Sequence, residues 1–399
     1  MRGKGVVGVT PSTHSEEQQA TAYVLKKPLT KEAELAKNWL LNSGIQQKDG
    51  EHKGVFNCWY DQKEKHYEYA YSEVTGYGIS TLLYLYKLTN DETMLEQAKL
   101  AGDWVMKKAH HRSGGVLTRH FYKEAKFMGC FTKEEIFAFD CGIVLNGMIN
   151  LYKATGEKNY LSFSQGLGGF ILNKLQKDDG SFYAVYDAKN EKLVDDGEKW
   201  STQSGAYHAK LVIGLLALYD ETKDSKYLDS VKKACDYSLI HLNEDGRFVT
   251  FSKTGATHFH PHCYGAEGLY CAGKYLHNDQ YLKASERATA YLFNNQLPNG
   301  GIPYLFNGQF EEVERADILG QALRLGALHG MDKKKLEKLK NRLLEFQVKE
   351  GPQSGGFVYG HDETGKHEHV NSWCTMFALQ ALTTLDNPQS LHDNHLLLV

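Results

Sequence analysis

The sequence predicts an all-α fold, an (α/α)6 toroid in which inner and outer helices alternate around one axis, joined by short β-like loop pieces. Three observations carry this. Six helix-length segments are apolar nearly all round, six others have a one-sided apolar stripe, and a Gly-centred turn follows each striped segment. A helix apolar on every side must be covered on every side, whereas a striped one keeps a solvent face. Antiparallel pairs of the two kinds can close into a ring that encloses the inner members; an open solenoid of six hairpins is the structural alternative.

The first striped helix lies around Ala33 to Leu41. The apolar segments are Ser72–Thr89, Ile136–Thr155, Ser201–Thr222, Cys263–His277, Ala316–His329 and Asn371–Leu385. Between them, Met94, Ala98, Ala101 and Val105 mark one stripe, and Leu336, Leu339, Leu343 and Phe346 another. The anchoring residues Leu95, Leu161, Leu228, Leu282 and Leu336 are spaced by 66, 67, 54 and 54 positions, a repeat in register with the helix pairs. Turns at Gly54, Gly114-Gly115, Gly180, Gly246, Gly300-Gly301 and Gly355-Gly356 each lead into an aromatic or β-branched piece. These boundaries give one catalytic toroid over 29–386, an N-terminal arm over 1–28 and a C-terminal tail over 387–399.

Composition narrows the class. The formal net charge of -3 comes from 46 basic and 49 acidic residues, which selects neither nucleic acid nor an anionic membrane. No apolar run approaches the roughly 20 residues that span a bilayer. The start, MRGKGVVGVTPSTHSEEQQ, lacks the hydrophobic centre of a secretory leader. The chain as given reads as cytoplasmic, or as periplasmic or secreted if a leader has been removed; oligomeric state is not set by any feature of the sequence. Seven cysteines without a CxxC pair read as reduced thiols. Tyr (24) and His (18) are abundant and Pro (7) scarce, which suits helices around a polar cavity.

In such a ring all six inner N-termini meet at one mouth, with their free N–H groups and roughly half a positive charge each. Carrying the repeat spacing through Asp140 places Glu73, His208, His262, Arg315, Asp317 and Asn371 at or beside the same position. Asp140 and Asn371 suit helix caps; His208, His262 and Arg315 do not.

The densest feature is Thr257-His-Phe-His-Pro-His-Cys-Tyr-Gly-Ala-Glu267. Alternating His258, His260 and His262 would share one side of an extended segment, with Tyr264 just inside the helix. Acid–base work by His260 or His262 with Tyr264 or Tyr77 is the leading reading. A zinc site using these imidazoles and Cys141, Cys263 or Cys374 is a lesser one, and no cofactor is expected. Trp59, Tyr60, Trp200 and Trp373 suit stacking on sugar rings, and Tyr67, Tyr69, Tyr71 and Tyr77 surround Glu73. No GxGxxG after a strand, GxxxxGK[ST], GxSxG, HExxH, DDxxD or DxDD pattern is present, so nucleotide-driven chemistry is unsupported.

The segments SEVTGYGISTLLYLYKLTND, AFDCGIVLNGMINLYKATGEKNYL, HFHPHCYGAEGLYCAGKYL and ERADILGQALRLGAL resemble α/α-toroid enzymes acting on uronic-acid polysaccharides, over about residues 30–386. That group includes toroid polysaccharide lyases, unsaturated glucuronyl hydrolases and glucuronyl C5-epimerases. The resemblance implies an anionic oligo- or polysaccharide substrate. The leading expectation is β-elimination, with His260 or His262 as base and Tyr264 or Tyr77 as acid. Arg315, Asn371, Gln203, His208, Trp200, Trp373 and His258 would bind the substrate. The alternatives are a hydrolase using carboxyls such as Glu73, Asp140, Glu267 and Asp317, a C5-epimerase, or a noncatalytic glycan-binding toroid.

Overall fold

The computed structural model describes residues 28–122, 134–195, 197–362 and 365–399. The expected arm and Cys130 fall outside them, apart from Pro28.

Inner helices are α2 (Ser72–Thr89), α4 (Ala138–Thr155), α6 (Val212–Thr222, preceded by a 3-10 segment Ala206–Leu211), α8 (Phe259–Leu276), α10 (Ala316–Leu328) and α12 (Ser372–Asp386). Outer helices are α1 (Lys31–Asn42), α3 (Glu92–Trp104), α5 (Lys158–Phe170), α7 (Ser225–Ile240), α9 (Asp279–Asn294) and α11 (Lys333–Leu344). Each inner helix packs on the next, and α12 returns to α2, so the ring is closed and the solenoid alternative is excluded. The apolar segments are buried through most of their length, α8 without interruption from Phe259 to Gly273.

The turn glycines lock neighbouring pairs together. Gly355 has φ +97°, and a Cβ there would stand 2.1 Å from the Leu35 carbonyl oxygen of α1. Beside it, Gln347 donates to the Glu32 carbonyl of α1 at 2.9 Å, tying the last turn to the first helix. Gln46, Gln176 and Gln296 make the same bridge to α3, α7 and α11. Gly355→Ala is therefore expected to cost more than about 2 kcal/mol, from left-handed strain and a backbone clash. A denaturant midpoint unchanged from the parent would remove this glycine from the closure.

The segment expected to be a C-terminal tail, 387–399, is packed against the ring. Residues Pro388–His392 form helix α13, a 3-10 turn follows at His395–Leu397, and Leu391, Leu397, Leu398 and Val399 are buried. This end contacts α2, α4, α6 and α8 together. Gln380 of α12 donates to the Leu397 carbonyl and accepts from the Val399 N–H, while Lys210 donates to the Val399 carbonyl at 2.8 Å. Five apolar residues among the last nine explain why it seeks the core, and it closes the end of the ring opposite the mouth.

Candidate active site

The inner helices run parallel, and their N-termini surround a cavity of about 940 Å3. Outer helices α1, α3, α7, α9 and α11 begin on side-chain caps supplied by Thr30, Asp91, Asp224, Asn278 and Asp332. Inner helices α2, α4, α6 and α10 have no such cap. Apart from the Ile318 N–H, which Asp317 accepts, the first-turn N–H groups of α2, α4 and α10 are thus not met by a capping side chain, and the positive ends of these dipoles face the cavity.

Of the residues expected at the mouth, Glu73, Asp140, His258, His260, Arg315, Trp200 and Trp373 line this cavity together. Glu73 and Asp140 stand on the first turns of adjacent helices α2 and α4, Asp140 buried and Glu73 half-buried, close enough for each charge to act on the other. Burial raises the Glu73 carboxyl well above the usual range, and the charge of Asp140 adds to the effect. Burial also raises Asp140, against the pull of Arg119. Two neighbouring carboxyls cannot both ionise cheaply, so each disfavours the charged form of the other. Arg119 lies beside them against the rings of Tyr69, Tyr71 and Phe137, at 5.8, 5.1 and 5.5 Å.

The facing wall is built on α8, α10 and α12. Arg315 is bidentate to Asp317, its Nη1 stands 3.0 Å from His258 Nε2, and the Tyr359 ring lies 4.4 Å from its guanidinium. Burial alone would raise the Asp317 carboxyl, but Arg315 holds it below the ordinary range. Trp373 donates its indole N–H to Asp317 at 3.0 Å, which fixes that ring at the cavity edge. Trp59, Trp200, Tyr304, Tyr359 and Trp373 complete an aromatic enclosure.

His262, Tyr264, Tyr77, Asn371, Gln203 and His208 are not brought to the cavity lining. Helix α8 starts at Phe259, so His260 and His262 lie about 200° apart around its axis instead of on one side of a strand. His260 faces the cavity. His262 turns outward, accepting from the Phe248 N–H and donating to the Ala288 carbonyl of α9. His258 is the helix cap, accepting from the His260 N–H, and Pro261 fits the first turn, where its missing N–H costs nothing. Tyr77 donates to Tyr264 at 3.0 Å beneath the lining. Asn371 caps α12 through the Cys374 N–H. Gln203 spends its amide on Gly197, Lys199 and Ser252. His208 is enclosed by Phe182 and Tyr207, and burial pushes its imidazole down to about 3. Among the described residues no three His, Cys, Asp or Glu side chains converge on a metal-sized site, because the three histidines diverge.

Arg119, Tyr304, Tyr359 and His369 also line the cavity without standing out in the sequence. A signal was there for most of them. Counting five residues on from Gly54, Gly114 and Gly246 reaches Trp59, Arg119 and Phe251, and four on from Gly300 and Gly355 reaches Tyr304 and Tyr359. Five of the six turns thus hand the chain to the mouth within four or five residues.

Among the described residues no helix is long and apolar enough to cross a membrane. Residues 118–290 match the model of Glycosyl Hydrolase Family 88. In fold, the chain is similar to a cellobiose 2-epimerase from Bacillus thermoamylovorans B4167, with 13% identity over 88% of this chain and 98% of that one and a TM-score of 0.72. It is also similar to an unsaturated glucuronyl hydrolase specific for heparin, with 14% identity, 90% and 97% coverage and a TM-score of 0.65. A third similar structure is the unsaturated glucuronyl hydrolase of Bacillus sp. GL1, described as responsible for glycosaminoglycan degradation, with 13% identity, 89% and 97% coverage and a TM-score of 0.64. The family match favours the hydrolase alternative over β-elimination, and the structural matches agree in fold with the resemblance read from the sequence: the chain is similar to α/α-toroid carbohydrate-active enzymes.

Proposed function

We propose that the protein is a glycoside hydrolase that removes a C4=C5-unsaturated uronate from the end of an oligosaccharide, with Glu73 and Asp140 as the proton-handling pair. The placing of these two carboxyls side by side, on the first turns of neighbouring helices in one cavity wall, carries the reading. In the usual two-carboxylate hydrolysis the groups stand on opposite sides of the glycosidic bond, about 5 to 9.5 Å apart. Two on neighbouring helices of one wall act from one side, which suits a substrate whose first need is a proton on carbon.

An unsaturated uronate is such a substrate, because its C4=C5 bond is an enol ether. A proton delivered to C4 leaves positive charge on C5 and the ring oxygen. The ionised member of the pair then takes a proton from the water that attacks C5, and the resulting hemiketal opens and releases the rest of the chain as an alcohol. The ring's blocked far end makes the cavity a pocket, which fits action at a chain end.

Arg315 supports an anionic sugar. Both ring nitrogens of His258 face N–H donors, the His260 backbone at 3.1 Å and Arg315 at 3.0 Å. A neutral imidazole has a single lone pair, so the Arg315 contact is one that an incoming carboxylate would replace to advantage. Arg315→Lys is expected to raise KM about tenfold or more with a smaller change in kcat, because lysine cannot hold Asp317 and a carboxylate in one planar fork. An unchanged KM would remove Arg315 from the carboxylate.

The activity itself is read from the double-bond absorbance. On disaccharides ending in an unsaturated uronate it should fall as the free sugar appears. A rise on saturated uronate polymers would reinstate elimination, and no change on either would overturn the proposal.

A further inference from the structure

Beneath the cavity wall lies a buried ionic cluster that the proposed reaction does not touch. Glu267 of α8 is fully buried and accepts from Lys210 Nζ at 2.8 Å and from Arg324 Nη2. Gln321 of α10, also fully buried, bridges this cluster to the site, with its Nε2 at 3.3 Å from Glu267 and its Oε1 at 2.7 Å from His260 Nδ1.

The donor and acceptor identities along this chain are forced. An ionised carboxylate only accepts, so the NH2 end of the Gln321 amide must face Glu267. The carbonyl end then faces His260, and a carbonyl only accepts, so His260 must carry its proton on Nδ1. Asp317 Oδ2 stands 3.5 Å from the same nitrogen and favours the same tautomer. It cannot set it alone, since its oxygens already accept from Arg315 twice, from the Ile318 N–H and from Trp373. The lone pair is left on Nε2, for which no protein partner is found among the described residues and which is not among the polar atoms sealed from solvent. His260 lines the cavity, so that lone pair is what a ligand meets.

We infer that Gln321 is a positioning residue that holds His260 as a fixed hydrogen-bond acceptor for a sugar hydroxyl, and that the Glu267–Lys210–Arg324 cluster sets which way the Gln321 amide points. The facing wall of the pocket thereby reads a hydroxyl proton, while the Glu73–Asp140 wall does the proton chemistry. The kinetic side of this inference rests on the proposed hydrolysis; the tautomer does not.

The test uses the full-length 15N-labelled protein. Long-range 1H–15N correlation of the His260 ring, assigned by comparison with His260→Gln, should show the Nδ1–H tautomer near neutral pH without any substrate. An Nε2–H ring or an imidazolium would overturn the inference and leave the hydrolase reading standing. In Gln321→Leu, with folding checked by circular dichroism, the tautomer should become mixed. On the unsaturated disaccharide, kcat/KM should fall about tenfold or more, mainly through KM. A retained Nδ1–H ring with parental kinetics would overturn it. If Gln321→Leu does not fold, Gln321→Glu gives a second reading, because a carboxylate there faces both His260 and Glu267 and should draw a proton onto the histidine. A ring that stays neutral in that variant also counts against the inference.

Discussion

Glu73→Gln or Asp140→Asn should lower kcat/KM by about 10²- to 10⁴-fold, equivalent to about 3 to 5 kcal/mol of transition-state stabilisation. Either change leaves one carboxyl where donation and acceptance of a proton need two. Asp140 is buried and Glu73 half-buried on adjacent inner helices, and an amide of the same shape keeps the packing, so the loss should come with little change in melting temperature. The parent profile of kcat/KM against pH should be bell-shaped, because the working form carries one proton. It falls on the acid side as the pair takes a second proton and on the alkaline side as the shared proton leaves. Asp140 is one cause of the raised Glu73 carboxyl, so in Asp140→Asn the residual alkaline limb should move to lower pH. A profile flat across neutrality, or full activity in either variant, would take the pair out of the reaction.

The second large effect belongs to stability. Glu267→Gln strips the anion from a cluster in which Lys210 and Arg324 have almost no exposure, and breaking a buried pair on one side costs about 3 to 5 kcal/mol. Burial already lowers Lys210 to about 8 against the pull of Glu267. Without that pull it should lose its proton at still lower pH, which limits the damage. The sign for Glu267 follows from its direction. Burial would raise the carboxyl, but Arg324 and Lys210 more than offset this and hold it below the ordinary range. Its contribution is present above the unfolded-state value and disappears as pH falls through the folded-state value. Urea midpoints should therefore separate parent and variant most at neutral pH and converge in acid. A constant difference across that range would show that the pair does not titrate with folding.

Much of the ring was legible because helices announce their surroundings locally. Ser72–Thr89 begins and ends where its apolar run does, and the stripe on Leu336, Leu339 and Leu343 is the buried face of α11. The site was legible in part. Glu73, Asp140 and Arg315 lie at or beside one register position at inner N-termini, and the repeat carries that position through the chain. His262 and Tyr264 stand as close to the mouth in sequence, but the direction of a side chain depends on where α8 starts. A strand ending at Thr257–His258 and a helix starting at Phe259 turn the three histidines three ways. The tail misled for a related reason. Polar residues such as His392, Asp393, Asn394 and His395 hide the apolar end that plugs the ring.

The sequence by itself determined the architecture: the number of helix pairs, their alternation, the turn glycines and the mouth where inner N-termini gather. Those features follow from periodicity and backbone chemistry, which act over a few residues. Only the tertiary structure decided which side chains touch. The neighbourhood of Glu73 and Asp140, the pairing of Arg315 with Asp317 and the hold of Gln321 on His260 depend on burial and on distances between helices. Both are set when the ring closes, and neither is written in any one segment.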